Sequence, residues 1–205
     1  MTRRQQWILL AGIVAASATG LIAFSMLQRD EYSLINAGTA APDFTAQTLD
    51  ATPVRRTLAD YRGQVVLINI WKTDCAPCVE EMATLEMLHR EFHGRGLRVV
   101  AVSVDVLPDA ERLIREFVKK YDLTFEVLFD PDRDIESVYR TRGVPESYVI
   151  GRDGIVTRKH WGWDDWSSLP NRALIAQLVG AGQPPDTTEP PLPAQALPIG
   201  RKVGG

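Results

Sequence analysis

VVLINIWKTDCAPC, residues 65–78, joins a continuous apolar run to a pair of cysteines three positions apart. An unbroken β-branched run of this length is typical of a strand buried on both faces of a sheet. Apolar residues after it recur at helical spacing and predict one buried helix face: Val79, Met82, Leu85, Leu88 and Phe92. Cys75 and Cys78 therefore stand where a buried strand turns into a helix.

The alternation of strand and helix continues along the chain. The predicted elements are a strand at 97–105, a helix at 109–121, a strand at 124–129, strands at 147–150 and 155–161, and a closing helix at 169–179. Asp153-Gly154, between the last two strands, is a hairpin signal. This order predicts a mixed sheet covered on both faces, a three-layer α/β domain over residues 41–180.

Composition narrows the class of protein. The chain has 205 residues, 45% of them hydrophobic and 24% charged, and a net charge of −3. That length allows one domain with appendages, and the balance excludes wholesale disorder and a multi-span membrane protein. A slightly acidic chain gives no electrostatic reason to expect nucleic acid as a partner. Two cysteines are too few for a disulfide-stapled scaffold or a four-thiolate zinc site.

Both ends of the chain differ from the middle. Residues 7–27 carry no charge, and 21 helical residues would span about 31 Å, close to the thickness of a bilayer core. We expect a transmembrane anchor there, with residues 1–6 cytoplasmic, 28–40 a linker and the domain outside. A cleaved signal peptide ending near residues 16–18 is the alternative. Residues 181–205 are rich in proline and predict a disordered tail.

The cysteine spacing favours redox chemistry. A helix N-terminus offers unpaired N–H groups and partial positive charge, which stabilise a thiolate on Cys75. One helical turn separates the sulfurs, so Cys78 can attack a mixed disulfide formed on Cys75. A zinc site with His89 and His93 is disfavoured, since eleven helical residues place His89 about 16 Å beyond Cys78. We therefore predict no metal site and two solvent-facing histidines.

Two blocks resemble one protein family. LADYRGQVVLINIWKTDCAPC (58–78) and FDPDRDIESVYRTRGVPESYVIGRDGIV (129–156) are similar to the membrane-anchored thioredoxin-like proteins of the TlpA, ResA and CcmG (DsbE) group. The resemblance implies a thioredoxin fold and extracytoplasmic thiol–disulfide exchange without a cofactor. It also implies protein thiol clients and a membrane thiol donor of electrons. In ResA-like and CcmG-like members the clients are the haem-attachment cysteines of apocytochrome c.

The resemblance assigns roles to three residues of these two blocks. Cys75 matches the attacking thiol and Cys78 the resolving thiol. Pro145, in Gly143-Val144-Pro145, matches the family's cis-proline, which lies against the cysteine pair and exposes backbone to a substrate strand.

Further positions match the family or depart from it. Glu81 matches a carboxylate that tunes the thiols in ResA-like members, although a solvated helix residue is an equal alternative. Glu146 and His160 match residues of CcmG-like members. Asp74 replaces the usual tryptophan before the first cysteine, and we expect its charge to cap the helix or to repel a thiolate on Cys75. Asn69 replaces the buried acid of thioredoxin and cannot accept a proton.

A tryptophan cluster remains outside these roles. Trp161, Trp163 and Trp166 lie within six residues, and either core packing or a partner-docking surface accounts for them.

Three functions remain open on sequence alone. The first is a dithiol reductant in cytochrome c maturation, which Asp74 favours because a destabilised thiolate favours the disulfide form of the protein. The second is a disulfide oxidant or isomerase with the same motif. The third, of another class, is a Sco-like copper-binding assembly factor, although those proteins use C-x3-C and a histidine close to the position of Pro145. A peroxidase is disfavoured because Thr73 stands two residues before Cys75, where the peroxidase pattern needs three.

Overall fold

The computed structural model describes residues 2–7, 12–13, 16–17, 19–20 and 35–181. Most of the predicted anchor at 7–27 and nearly all of the predicted tail at 181–205 lie outside these residues. Among the residues described, no helix combines the length and apolar character that crossing a membrane requires.

Residues 35–181 form an alternating α/β domain. Its strands are β1 Thr45–Thr48, β2 Arg55–Thr57, β3 Val65–Trp71, β4 Leu97–Ser103, β5 Glu126–Phe129, β6 Glu146–Ile150 and β7 Val156–Trp161. Its helices are α1 Ala76–Phe92, α2 Ala110–Lys120, α3 Asp134–Tyr139 and α4 Leu169–Gly180. Single 3₁₀ turns cover Leu58–Tyr61 and His93–Arg95. The predicted order of central strands and helices is confirmed.

One mixed sheet carries the domain, in the strand order β2-β1-β5-β4-β3-β6-β7. β3 lies parallel to β4 and antiparallel to β6, which in turn pairs antiparallel with β7. Trp71 pairs with Ser103, and Glu146 pairs with both Ile70 and Trp161. At one end of the sheet, the last residues of β3, β4 and β7 therefore lie beside the first residue of β6. We call this end of the strands the redox edge.

The sheet separates two apolar cores. α1, α2 and α4 pack on one face, where Leu67 of β3 meets Leu85 and Ile175 in a single buried cluster. On the opposite face, Ile68 joins a second cluster with Tyr139 of α3. All seven residues of β3 are buried, as the continuous apolar run predicts. The three-layer arrangement is confirmed.

The chain enters the domain at the end of the sheet opposite the redox edge. Ala40 forms an isolated bridge with Ile155, and Ala41 N–H donates to the carbonyl of Gly154 at 2.9 Å. Gly154 has φ 79°, a left-handed conformation that the Asp153-Gly154 turn requires. The predicted hairpin is confirmed.

Three elements and one histidine differ from the predictions. β1, β2 and α3 were not predicted, because their short, polar sequences lack a strong period. The expectation that both histidines face solvent is wrong for His89, which is 9% exposed and stacks against His93 with ring centroids 4.9 Å apart. His89 lies on the inward stripe of α1, and burial lowers the pKa of its imidazole.

Candidate redox site

Cys75 and Cys78 form a disulfide at the first turn of α1, with Cα atoms 5.2 Å apart. Cys75 is the N-cap of the helix, and its Sγ accepts the backbone N–H of Cys78 at 3.3 Å. Pro77 occupies the first turn, where a missing N–H costs no helix bond. Cys75 is half-buried, whereas Cys78 is fully buried. Of the two cysteines, Cys75 is therefore the one accessible from solvent.

A cis peptide bond lies beside the disulfide. The bond joins Val144 to Pro145, as the family resemblance implies. The carbonyl oxygen of Val144 lies 3.7 Å from Cys75 Sγ. The disulfide form has no thiol proton to donate, so this is a packing contact. In the dithiol form the same geometry brings the Cys75 thiol within reach of that acceptor.

A buried carboxylate fixes the turn that carries Cys75. Asp105, at the end of β4, accepts the Thr73 N–H at 3.1 Å and the Thr73 hydroxyl at 2.8 Å. It also accepts the Ser103 hydroxyl at 2.6 Å. These bonds hold the strand-to-helix connection two residues before the cysteine. No local sequence pattern indicates this role, because Asp105 lies 30 residues after Cys75 in the chain.

Glu81 is fully buried one helical turn after Cys78. Its carboxylate accepts the Trp166 indole N–H at 2.6 Å and the Asn69 amide N–H at 3.2 Å. Burial raises its pKa to about 7, although both donors oppose the rise. The solvated-helix alternative for Glu81 is therefore wrong. One signal was available, because Glu81 falls on the same apolar helix stripe as Cys78 and Leu85.

Asn69 connects Glu81 to the next strand. Its amide N–H groups donate to Glu81 and, at 2.9 Å, to the hydroxyl of Ser147. Among the described residues, the amide oxygen is buried without a hydrogen-bond partner. Rotating the amide by half a turn would turn that oxygen towards a protonated Glu81. Asn69 can therefore donate a hydrogen bond to the ionised acid and accept one from the protonated acid.

Glu146 and His160 take different positions at the redox edge. Glu146 follows Pro145, is fully buried and pairs with Lys159 Nζ at 2.9 Å. His160 is half-buried, with its Nδ1 3.7 Å from the Asp164 carboxylate and its Nε2 3.2 Å from the carbonyl oxygen of Trp163. Its ring is thus engaged with the loop after β7.

Asp74 is exposed to solvent. Cys75, and not Asp74, occupies the N-cap position of α1. The expectation that Asp74 caps the helix is therefore wrong, and water screens its charge from the neighbouring sulfur.

The tryptophan cluster divides into two parts. Trp166 is fully buried, and its indole binds Glu81. Trp161 and Trp163 are 61% and 48% exposed. Core packing thus accounts for one of the three tryptophans only.

Comparison with known proteins gives a consistent set of relatives. The family model described as the AhpC/TSA family matches residues 37–159. Thioredoxin-like protein YneN of Bacillus subtilis is 34% identical over 157 residues, which cover 75% of this chain and 89% of that protein. Thiol-disulfide oxidoreductase ResA of Oceanobacillus iheyensis is 32% identical over 149 residues, 72% of each chain.

Solved structures agree with these relatives. A Chlorobium tepidum protein described as a candidate thiol:disulfide interchange protein DsbE is 27% identical, with a TM-score of 0.59. The match covers 73% of this chain and 98% of that one. Fold, cysteine pair and relatives lead to one assignment. The chain belongs to the AhpC/TSA family, as a thioredoxin-like thiol-disulfide oxidoreductase of the ResA and DsbE type.

Proposed function

We propose that the protein is an extracytoplasmic dithiol reductant, with Cys75 as the attacking thiol and Cys78 as the resolving thiol. The observation that carries this division is the difference in burial between the two sulfurs. Cys75 is half-buried and receives the Cys78 N–H, whereas Cys78 is fully enclosed. A thiolate on Cys75 is therefore both stabilised and accessible, which are the two properties that an attacking thiol needs.

The proposed reaction transfers two electrons from the protein to a client disulfide. The Cys75 thiolate attacks one client sulfur, forms a mixed disulfide and expels the other client sulfur as a thiolate. Cys78 then attacks Cys75 Sγ, which releases the second client thiolate and closes the Cys75–Cys78 disulfide. The client takes up two protons, and a membrane thiol donor of electrons reduces the pair again.

Glu81 supports the second half of this reaction. Cys78 must lose a proton before it can attack, and it has no contact with solvent. Glu81 lies one turn further along the same inward helix face, and its pKa of about 7 allows it to take up a proton at neutral pH. We propose Glu81 as the proton acceptor for Cys78, with Asn69 adjusting to the protonated acid.

Pro145 and Glu146 complete the proposed site. The cis bond presents the backbone of Val144 beside Cys75, where an extended client segment can lie. Glu146 holds the loop that contains Val144 and Pro145, because its carboxylate accepts the Arg142 N–H at 3.3 Å and pairs with Lys159. We assign Glu146 a positioning role.

We further propose that the clients are the haem-attachment cysteines of apocytochrome c, and that residues 7–27 anchor the protein in the cytoplasmic membrane. The first proposal rests on the family resemblance, and the second on 21 uncharged residues that follow Arg3 and Arg4.

Substitution of each cysteine tests the assignment. Cys78→Ser should accumulate a mixed disulfide between Cys75 and its client, because the resolving thiol is missing. Cys75→Ser is the matched control and should trap nothing. Non-reducing gels and mass spectrometry of the trapped species would identify the client. Preferential trapping by Cys75→Ser would reverse the two roles, and a trapped set without c-type cytochromes would contradict the client assignment.

The direction of electron flow needs a separate measurement. Equilibration of the full chain with glutathione gives the potential of the Cys75–Cys78 couple. A reductant should lie near the value of thioredoxin, about −270 mV, and an oxidant near that of DsbA, about −120 mV. A potential in the second range would contradict the proposed reductant.

A further inference from the structure

Trp161 and Trp163 form an exposed indole pair at the redox edge, with 61% and 48% of their surface accessible. We propose that this indole pair is the docking surface for client polypeptides that carry a large apolar or aromatic side chain close to the target cysteine. The inference rests on the proposed function and names the class of client segment that the same site prefers.

The indole pair is continuous with the disulfide. Cys75 Sγ contacts the carbonyl oxygen of Val144, and the preceding residue, Gly143, lies close to the indole nitrogen of Trp161. A methyl group added to the Gly143 Cα would stand 3.6 Å from Trp161 Nε1, which is ordinary van der Waals contact. The disulfide and the Trp161 indole therefore lie beside adjacent residues of the same loop.

Trp161 is held in place from beneath. It is the last residue of β7 and pairs with Glu146 of β6. The next residue, Gly162, donates its N–H to the Pro145 carbonyl at 2.8 Å. Backbone bonds thus fix the indole-bearing strand to the proline loop, so that docking requires little additional ordering of the protein.

The charged and titratable side chains that precede Trp161 on β7 are already engaged. Lys159 binds Glu146, while Arg158 binds Asp164 at 2.9 Å and His160 also faces that carboxylate. A charged client would have to compete with these ion pairs. An apolar client side chain competes with none of them and removes indole surface from water. The indole pair therefore favours client segments that carry an apolar side chain.

The short distance between the disulfide and Trp161 limits how far the client's apolar residue can lie from its cysteine. Cys75 contacts Val144 and the Trp161 indole nitrogen lies close to Gly143, so the two contacts are at adjacent backbone positions. An extended segment advances about 3.3 Å per residue. The client's apolar residue should therefore lie within about three residues of its cysteine.

Three small disulfide substrates test this preference. Each of two short peptides carries one cysteine as a mixed disulfide with glutathione, followed by Phe in one peptide and by Ser in the other. Glutathione disulfide, which lacks any flanking side chain, is the third. The reduced full chain attacks each, and the stopped-flow rate of protein oxidation gives a second-order rate constant.

We expect the Phe peptide to react faster than the Ser peptide with the unmodified protein. Truncating a buried aromatic contact at an interface costs on the order of tenfold in affinity. Trp161→Ala should therefore lower the rate constant for the Phe peptide about five- to tenfold, and leave glutathione disulfide unchanged. Trp161→Phe should restore most of the loss. Met87→Ala, which removes another apolar side chain that is 59% exposed, is the matched control and should change nothing.

Other outcomes separate this inference from the proposed function. Equal rates for both peptides, unaffected by Trp161→Ala, would overturn the docking surface while leaving the oxidoreductase intact. Failure to react with any of the three disulfides would instead overturn the proposed function. Binding of phosphatidylcholine–phosphatidylglycerol vesicles that Trp161→Ala abolishes, with unchanged peptide rates, would make the indole pair a membrane contact and refute client docking.

Discussion

Replacing Glu81 by Gln should change how the stability of the oxidised protein depends on pH. Glu81 is fully buried, and its pKa rises from 4.5 in the unfolded chain to about 7 in the fold, mainly through loss of hydration. The folded protein therefore keeps a proton that the unfolded chain releases between these two values. The stabilisation that this group contributes is fully present below pH 4.5 and is lost as the pH rises through 7. Gln does not titrate and has no such loss.

The size of the effect follows from the same pKa difference. One pKa unit corresponds to about 1.4 kcal/mol, so 2.5 units set an upper limit of about 3 kcal/mol. Between pH 5 and pH 8 the unmodified protein should lose about 2 to 3 kcal/mol relative to Glu81→Gln. The Gln carbonyl can still accept the Trp166 indole N–H, so the comparison isolates the charge.

Guanidinium unfolding of the disulfide-bonded full chain at a series of pH values measures this difference. Glu86→Gln is a matched control, because Glu86 is also buried on α1. Burial alone would raise its pKa, but hydrogen bonds from Thr124 and Arg90 outweigh burial and lower it. Its stabilisation is lost only as the pH falls below 4.5. The difference between Glu86→Gln and the unmodified protein should therefore stay constant from pH 5 to pH 8.

A pH-independent difference for Glu81→Gln would refute the reasoning. It would mean that Glu81 is ionised in the fold throughout this range. In that case the proposed proton transfer from Cys78 to Glu81 would lose its physical basis. A steeper pH dependence in Glu81→Gln than in the unmodified protein would contradict the sign of the argument as well.

Two further changes test the redox edge. Lys159→Met should destabilise the protein by about 3 to 5 kcal/mol at pH 7, because it leaves the buried Glu146 carboxylate without its cationic partner. Denaturant unfolding measures this loss, and adding Glu146→Gln should recover most of it. A cost below about 1 kcal/mol for Lys159→Met alone would contradict the pairing. Asp74→Asn should remove a weak, water-screened repulsion of the Cys75 thiolate and make the couple more oxidising by less than about 20 mV, because Asp74 is exposed. Equilibration with glutathione measures this shift, and a change of about 60 mV or more would show that the carboxylate acts directly on the sulfur.

The central elements were predictable because their periodicity is strong. β3 is an apolar run interrupted only by Asn69, and α1 repeats apolar residues every three or four positions. These patterns reflect burial on two faces or on one helix stripe. β2, with the sequence RRT, and α3, with DIESVY, have no comparable pattern. Contacts with neighbouring strands and with the second core decide their structure, and a local pattern does not contain those contacts.

The site was predictable only in part, for a similar reason. The position of Cys75 at a helix N-terminus follows from the local sequence. The environment of Glu81 depends on Trp166, which lies 85 residues away and donates a hydrogen bond to its carboxylate. Lys159 reaches Glu146 only because β6 and β7 pair in this register. The burial of Glu81 and the pairing of Glu146 with Lys159 therefore could not be predicted from local sequence patterns.

The place where the chain enters the domain sets the reach of the redox pair. Ala40 pairs with Ile155 at one pole, and the disulfide lies beyond the last residue of β3 at the other. Seven strand residues separate these poles by roughly 20 Å. Cys75 therefore lies at the end of the domain remote from the segment at residues 35–41. For thiol–disulfide exchange to begin, a disulfide-bearing partner must approach that remote end.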